Sequence, residues 1–491
     1  MIYLNPFSRT FIFEKFNQLF QRGIRWRRNF NFSSLLLVLM LSHQTDVNVQ
    51  ITNFTKNDGL TSLIVTCTYV DSKGIVWIGT NNGLNAYTGS KWYSITSIED
   101  KKTGKPESLG RIETIFEDSQ QNIWVSVMNK IYLYNGNFWT GFAETEIEDY
   151  VAKDFFEDRR GWIWVTLEHF KDFSNVPEIK FSLLGGALQM YDGLRWFKFY
   201  EDVAGTLGID KTETPKYFTS ILQDQSGNIW LSSLKGIYMF DGIDWVNYDE
   251  KDIVSEKVLK LLLDQEGTLW AATEYGISYL KDDKWVDLTR KEGLCGVNVY
   301  DLKEDPDGRI WAYTKRNIRF AGINLIENGK CIPFDKHKTG LKGTIEQLIW
   351  NKGEIIAFAN DGVAVFDSLG NWKQYGKNEG LPDTKFYSIL KDRWQNIWLV
   401  SDKSLYKLNN GVWEQLKEQE EWNVLTMMVD KKGTVWIGTE KMGLFKFQNG
   451  SWRNYSIANG LVDRQVSEIF EDKNGNIWVI SKKGVSKIAI E

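Results

Sequence analysis

Histidine is the side chain most often used to move a proton near neutral pH, and it occurs three times in 491 residues, as His43, His169 and His337. So few and so scattered, they compose neither a zinc centre nor a Ser-His-Asp triad. Cys67, Cys295 and Cys331 are too few and too far apart for a Cys-x-x-Cys metal site or a dense disulfide framework. Cys295 and Cys331 could pair in an oxidising compartment; buried free thiols in strands are the preferred reading. Asp and Glu number 64, so composition permits a carboxylate pair of the glycosidase kind, but nothing in the sequence marks one. A repeated Asp-x-x-Gly-x-x-Trp resembles a calcium loop only superficially. Calcium needs several oxygen ligands, whereas each copy offers one Asp, with neighbours such as Arg159-Arg160 and Lys431-Lys432. A tight turn is expected instead, with no metal, no cofactor and no enzymatic activity. The stretch best suited to recognition is Glu168-His169-Phe170-Lys171-Asp172-Phe173, which mixes ring faces with charged hydrogen-bond partners, as a carbohydrate or peptide contact would. His169, Phe170, Lys171, Asp172 and Phe173 are therefore the candidate ligand-binding residues. The competing account is a loop that packs its own Phe side chains onto the scaffold.

That scaffold is an array. Ten copies align on Trp77, Trp124, Trp164, Trp230, Trp270, Trp311, Ile356, Trp398, Trp436 and Trp478, spaced by 47, 40, 66, 40, 41, 45, 42, 38 and 42 residues. Repeats of ~40 to 50 residues are the signature of four-stranded propeller blades. The copy around Trp436 reads as strands Asn423 to Val429, Thr434 to Gly438, Gly443 to Phe447 and Ser451 to Ser456, here termed a to d. Each is short, rich in β-branched and aromatic residues, and bounded by turn formers. Asp at the first turn position and Gly at the fourth suit a type I turn between a and b, and Asp-Gly or Asn-Gly pairs suit the hairpin between c and d. The last copy lacks strand d, while Ile51 to Thr55 reads as a d strand without a blade. Pairing the two would close the ring and leave no free edge. The expected fold is therefore all-β: a β-propeller of about ten four-stranded antiparallel blades over residues 47–491, with two smaller propellers as the alternative.

Of 22 Trp, nine are strand-b anchors and eight stand in strand d, all explained by packing between blades. Trp26, Trp162, Trp350, Trp394 and Trp422 fall outside that pattern and are candidates for surface recognition. A net charge of -5 with interspersed Lys and Arg gives no reason to expect a nucleic-acid partner. Residues 1–46 hold Arg22, Arg25, Arg27 and Arg28 and then an apolar run to Ser42, the layout of an export signal or an uncleaved membrane anchor. A periplasmic or otherwise exported location follows.

The repeat is irregular where Glu168 to Leu184 joins strands b and c, where Glu201 to Pro215 joins strand d to the next strand a, and at Ser97 to Gly110. In an up-and-down blade, b-to-c and d-to-a connections emerge on one face, and long loops on a rigid scaffold are where binding is usually placed. The candidate ligand-binding residues belong to that face.

The pattern Asp-x-x-Gly-x-Ile-Trp-Ile-Gly-Thr followed by Gly-Leu resembles the two-component regulator propeller repeat. It stands here as Val76-Trp77-Ile78-Gly79-Thr80-Asn81-Asn82-Gly83-Leu84 and as Val435-Trp436-Ile437-Gly438-Thr439 with Gly443-Leu444. Gln121 and Gln395 replace the turn glycine, and Ile356 the anchor Trp, which reads as degeneration of those blades. The resemblance implies the periplasmic sensor region of a hybrid histidine kinase, with oligosaccharide breakdown products as the ligand class. The chain reaches Glu491 with no room for a kinase, so a signal would pass to a separate membrane kinase or envelope protein. A structural or assembly scaffold of the cell envelope is the first alternative. A carbohydrate-processing enzyme is the second; antibiotic-opening lyase propellers share the blade rhythm but rely on histidine within the ring.

Overall fold

Strand a of each blade is kinked by a β-bulge, as in Val424–Val429, where the register shifts between the buried Val424 and Thr426. Strand b is the most buried strand of the blade, as in Val435–Thr439, buried along its whole length, because it has a neighbouring blade on each side. Strands c and d, Leu444–Gln448 and Ser451–Tyr455, become progressively more exposed toward the rim. The computed structural model describes residues 49–99, 105–128, 130–142, 150–169, 188–198, 215, 218–314, 322–343, 345–367, 370–382, 384–418 and 422–489. Contacts divide the chain into Ile51–Ala489 and a second unit, Met1–Gln50 with Ile490–Glu491.

The larger unit is a propeller of ten four-stranded blades. The N-terminal strand Gln50–Phe54 completes the tenth, next to its strand c Gly484–Ala489, and supplies the missing fourth strand as expected. Asn53 ties this closure, accepting from Ser486 Oγ at 2.7 Å and donating to the Gly460 carbonyl at 2.8 Å. Phe54 then stacks between Trp92 of blade 1 and Trp478 of blade 10, at centroid distances of 4.5 and 5.7 Å. Shared apolar clusters run from blade to blade around the ring. Blades 9 and 10 meet at Gly438, where a Cβ would lie 2.6 Å from Val466 Cγ1. One continuous ring results, and two smaller propellers do not describe it.

Two hydrogen-bond devices stiffen the ring. In nine blades the turn Asp spends one carboxylate oxygen on turn N–H groups and the other on the anchor Trp, whose Nε1 donates to Oδ2 at 2.7 to 3.1 Å. Asp and Trp six residues apart thus lock turn to core, and the turn reading is the one the structure shows. The second device joins neighbours. The last residue of strand a, when it is Glu or Gln, accepts from the second turn residue of the preceding blade: Glu117 from Ser72, Glu157 from Ser119, Gln223 from Arg159, Glu304 from Gln265 and Glu471 from Lys431. In blade 6 that turn residue is Pro306, which has no N–H to give, and blade 7 has Trp350 where the acceptor would stand.

Blade 7 lacks the Asp-Trp lock because its turn is built differently. Lys352 and Gly353 have φ of 50° and 82°, a two-residue hairpin between Asn351 and Glu354. Ile356 nonetheless occupies the anchor position, fully buried and paired with Ile349. None of the three cysteines is in a disulfide; Cys67 and Cys331 lie in strands, whereas Cys295 is half-buried in the connection before strand a of blade 6, outside any strand.

Candidate functional site

The antiparallel order places all a–b and c–d turns on one face of the ring, the turn face, and all b–c turns and d–a connections on the other, the loop face. Turn-face links are short and tied by their own backbone. Loop-face links vary: several b–c links are two-residue turns, such as Asn81-Asn82 and Asp402-Lys403, whereas the long connections of the ring also lie here. After blades 5, 7 and 9, and after the N-terminal strand, the chain makes a capped 3₁₀ turn: Lys56–Asp58, Arg290–Glu292, Lys377–Glu379 and Ile457–Asn459. Each ends on a left-handed glycine followed by a buried leucine, Leu60, Leu294, Leu381 or Leu461. This Gly-Leu precedes strand a and is distinct from Gly83-Leu84 and Gly443-Leu444, which stand where strand c begins. At Gly380 a Cβ would come 2.0 Å from the Trp413 carbonyl oxygen, so only glycine fits.

All three irregular connections start and finish on the loop face. In blade 3, strand b runs to His169 as a seven-residue strand and strand c resumes at Leu188. The backbone of His169, paired with Tyr150, is therefore on the expected face. Phe170, Lys171, Asp172 and Phe173 lie outside the described residues, as does most of Glu201 to Pro215. The connection Ser97 to Gly110 forms a small hairpin of Ser97–Glu99 with Pro106–Ser108. Ile98 and Leu109 are buried in the core shared by blades 1 and 2, and Glu107 meets Lys130 Nζ and accepts from Tyr132 Oη at 3.0 Å. This connection packs down as a wall of the face.

A cavity of about 470 Å³ opens on the same face at blade 7, lined by Lys342, Asp361, Gln374, Tyr375, Glu379 and Phe386 among others. The Asp361 carboxylate, in the b–c turn, accepts from the backbone N–H groups of Lys342 and Gly343 at 2.8 and 3.0 Å. Glu379 caps its 3₁₀ turn by accepting from Gly376 N at 2.9 Å and pairs with Lys373 at 2.8 Å. The Lys373 hydrogen bond, then that of Gly376, holds its carboxyl below the ordinary value. Burial, with Glu354 and Glu379 nearby, pushes the Tyr375 hydroxyl up to about 12. The walls thus present fixed carboxylates, an exposed Lys and an exposed amide around a buried aromatic floor, an arrangement for hydrogen-bonding a polar ligand. No sequence signal singled out this cavity, because its residues come from ordinary turn positions of a blade whose anchor Trp is missing.

The five tryptophans outside the packing pattern now separate. Trp422 is fully buried, Trp350 packs against the core shared by blades 6 and 7, and Trp162 lies under the Arg160 guanidinium at 4.3 Å. Trp394 is 47% exposed, and Trp26 lies outside the described residues.

Residues 59–82, from the closing turn of the N-terminal strand through strand b of blade 1, match the model of the two component regulator propeller. No curated protein matches the chain. Among solved structures it is similar to the extracellular domain of a proposed one component system, BT4673, of B. thetaiotaomicron, with 16% identity and a TM-score of 0.33 over 88% of this chain and 65% of that one. The extracellular domain of a proposed hybrid two component system, BT3049, of the same organism gives 20% and 0.33 over 86% and 56%. PorZ, a surface component of the type-IX secretion system of Porphyromonas gingivalis, gives 13% and 0.34 over 87% and 68%. The chain thus spans about two thirds or less of the B. thetaiotaomicron domains.

Proposed function

We propose that this chain is an exported recognition propeller, with no reaction of its own, whose loop face takes an oligosaccharide or another envelope ligand. The observation that carries the reading is the asymmetry of the ring: one face is closed by short hydrogen-bonded turns, while the other bears every long connection and the blade 7 cavity. The regulator propeller repeat in blade 1 supports a sensory role, and the basic and apolar N-terminal segment supports export. A rigid ring of this kind binds with little change of its own shape and hands the signal to a separate membrane kinase or envelope protein.

The test is a thermal-shift screen of the full chain against an oligosaccharide panel. A ligand of the folded state at ~100 times its Kd stabilises by about 2.7 kcal/mol, which the assay resolves. A saturable shift from one glycan class, reduced by Lys342→Ala and Gln374→Ala, is the expected result. Silence across the panel overturns the ligand. A stable protein partner on pull-down would then favour the envelope scaffold, and product formation would favour an enzyme.

A further inference from the structure

We propose a second, separate binding site on the turn face, between blades 8 and 9, for an uncharged pyranose ring. The repeat supplies its own controls. The third residue of the a–b turn is Lys73, Gln120, Arg160, Ser226, Glu266, Asp307, Lys432 or Asn474 in the other blades that keep the four-residue turn, and only blade 8 has an aromatic, Trp394. At a position the scaffold otherwise gives to polar groups, packing does not account for the nearly half of the indole surface that faces water. It is held in place: Gly433 of blade 9 lies against it, where a Cβ would be 2.7 Å from Cζ3, and the Arg393 guanidinium backs the ring 4.2 Å from its centroid.

Trp394 borders a cavity of about 380 Å³, at the lower end of ligand pockets and of a size for one or two sugar rings. Arg393 does not line this cavity. The equivalent groove between blades 3 and 4 is occupied by the protein itself: Arg160 stacks over Trp162 and Phe240 at 4.3 and 5.4 Å and reaches Gly242 of the next blade. Between blades 8 and 9 that space stays open.

The lining chemistry selects the ligand. The ammonium groups of Lys407 and Lys432 are balanced by the carboxylates of Asp392 and Glu414, so the site offers no net charge to an anion or a cation. Asp392 is committed to its turn and to Trp398. Glu414 is exposed and aligned by the Asn409 amide, which donates to it at 2.6 Å. Carboxylate, ammonium and the amides of Asn409 and Gln448 together accept and donate, as sugar hydroxyls do, while an indole face suits the C–H face of a pyranose.

The experiment is ligand-observed saturation-transfer NMR on the full chain with cellobiose, maltose, xylobiose and diacetylchitobiose, followed by titration of any that bind. At least one disaccharide is expected to saturate, with Trp394→Ala weakening it about tenfold or more and Trp394→Phe within about threefold of wild type. Glu414→Ala, at an exposed position, is an independent variant expected to weaken binding in the same way. Each titration, including those of the Trp394 and Glu414 variants, is made in the Lys342→Ala, Gln374→Ala background, so that a sugar held at the loop face does not contribute and failure here is separated from failure there. If none of the four binds, or if binding survives both Trp394→Ala and Glu414→Ala in folded protein, the proposal is wrong.

Discussion

Replacing Asp430 with Ala removes one lock and leaves its donors in place. Asp430 is buried and accepts from Lys432 N at 2.9 Å, Thr434 N at 2.8 Å and Trp436 Nε1 at 2.9 Å, and Trp436 is fully buried. A buried donor left without an acceptor costs about 1 to 3 kcal/mol, and the turn N–H groups of Lys432 and Thr434 are taken at the low end of that range, about 1 kcal/mol each. The expected loss is about 3 to 5 kcal/mol, among the large effects of single substitutions. Asp430→Asn keeps one acceptor oxygen for the turn but presents its amide N–H to the indole N–H, so about half of that loss is expected. The internal control is Asn351→Ala in blade 7, whose side-chain oxygen has no donor and whose blade has no anchor Trp; within about 0.5 kcal/mol of wild type is expected. The assay is denaturant unfolding followed by hydrogen exchange of strands a and b of blade 9, since a ring this long need not unfold in one step. An Asp430→Ala loss under about 1 kcal/mol, or one equal to that of Asn351→Ala, refutes the lock.

Gln121 stands in the left-handed region, φ 64°, at the turn position where most blades have glycine. Gln121→Gly relieves that strain and is expected to stabilise the ring by about 0.5 to 1 kcal/mol, read as a rise in denaturation midpoint; destabilisation would contradict the assignment. The capping carboxylates make a pH-dependent contribution. Glu292, held low first by the Thr289 backbone N–H, and Glu379, held low first by Lys373, have folded values below the ordinary 4.5. Their stabilisation is therefore fully present above pH 4.5 and is lost as pH falls through the folded values. The double variant Glu292→Gln, Glu379→Gln should lose less thermal stability than wild type between about pH 6 and pH 3, and an equal loss in both would count against these caps.

How much of this was legible in the residues depends on whether the information was periodic. Asp-x-x-Gly-x-x-Trp recurs because turn, lock and core depend on the same residues, so blade number, strand order and ring closure could be counted from the sequence. The Glu that precedes the Asp in several copies was equally visible, but its partner is 38 to 45 residues away in the preceding blade, and a single repeat does not show that contact. The blade 7 cavity was hidden for the opposite reason. Lys342, Asp361 and Gln374 come from separate connections, and only the closed ring brings them together.

Departures from the period carry the functional information, and they divide by physical kind. Ile356 is a departure compensated on the spot: a shorter hairpin removes the need for the Asp-Trp lock, and the side chain stays buried. Gln121 retains the turn at the cost of a left-handed backbone and presents an exposed polar side chain that changes nothing else. Blade 8 shares the glycine replacement, at Gln395, φ 69°, and by that measure alone reads as equally degenerate. It differs in adding, one residue earlier, a large apolar surface of which the fold leaves nearly half in water. A repeat under selection for packing alone has no reason to expose an indole beside an unfilled groove, and that uncompensated cost is what sets Trp394 apart from the other irregular positions in the ring.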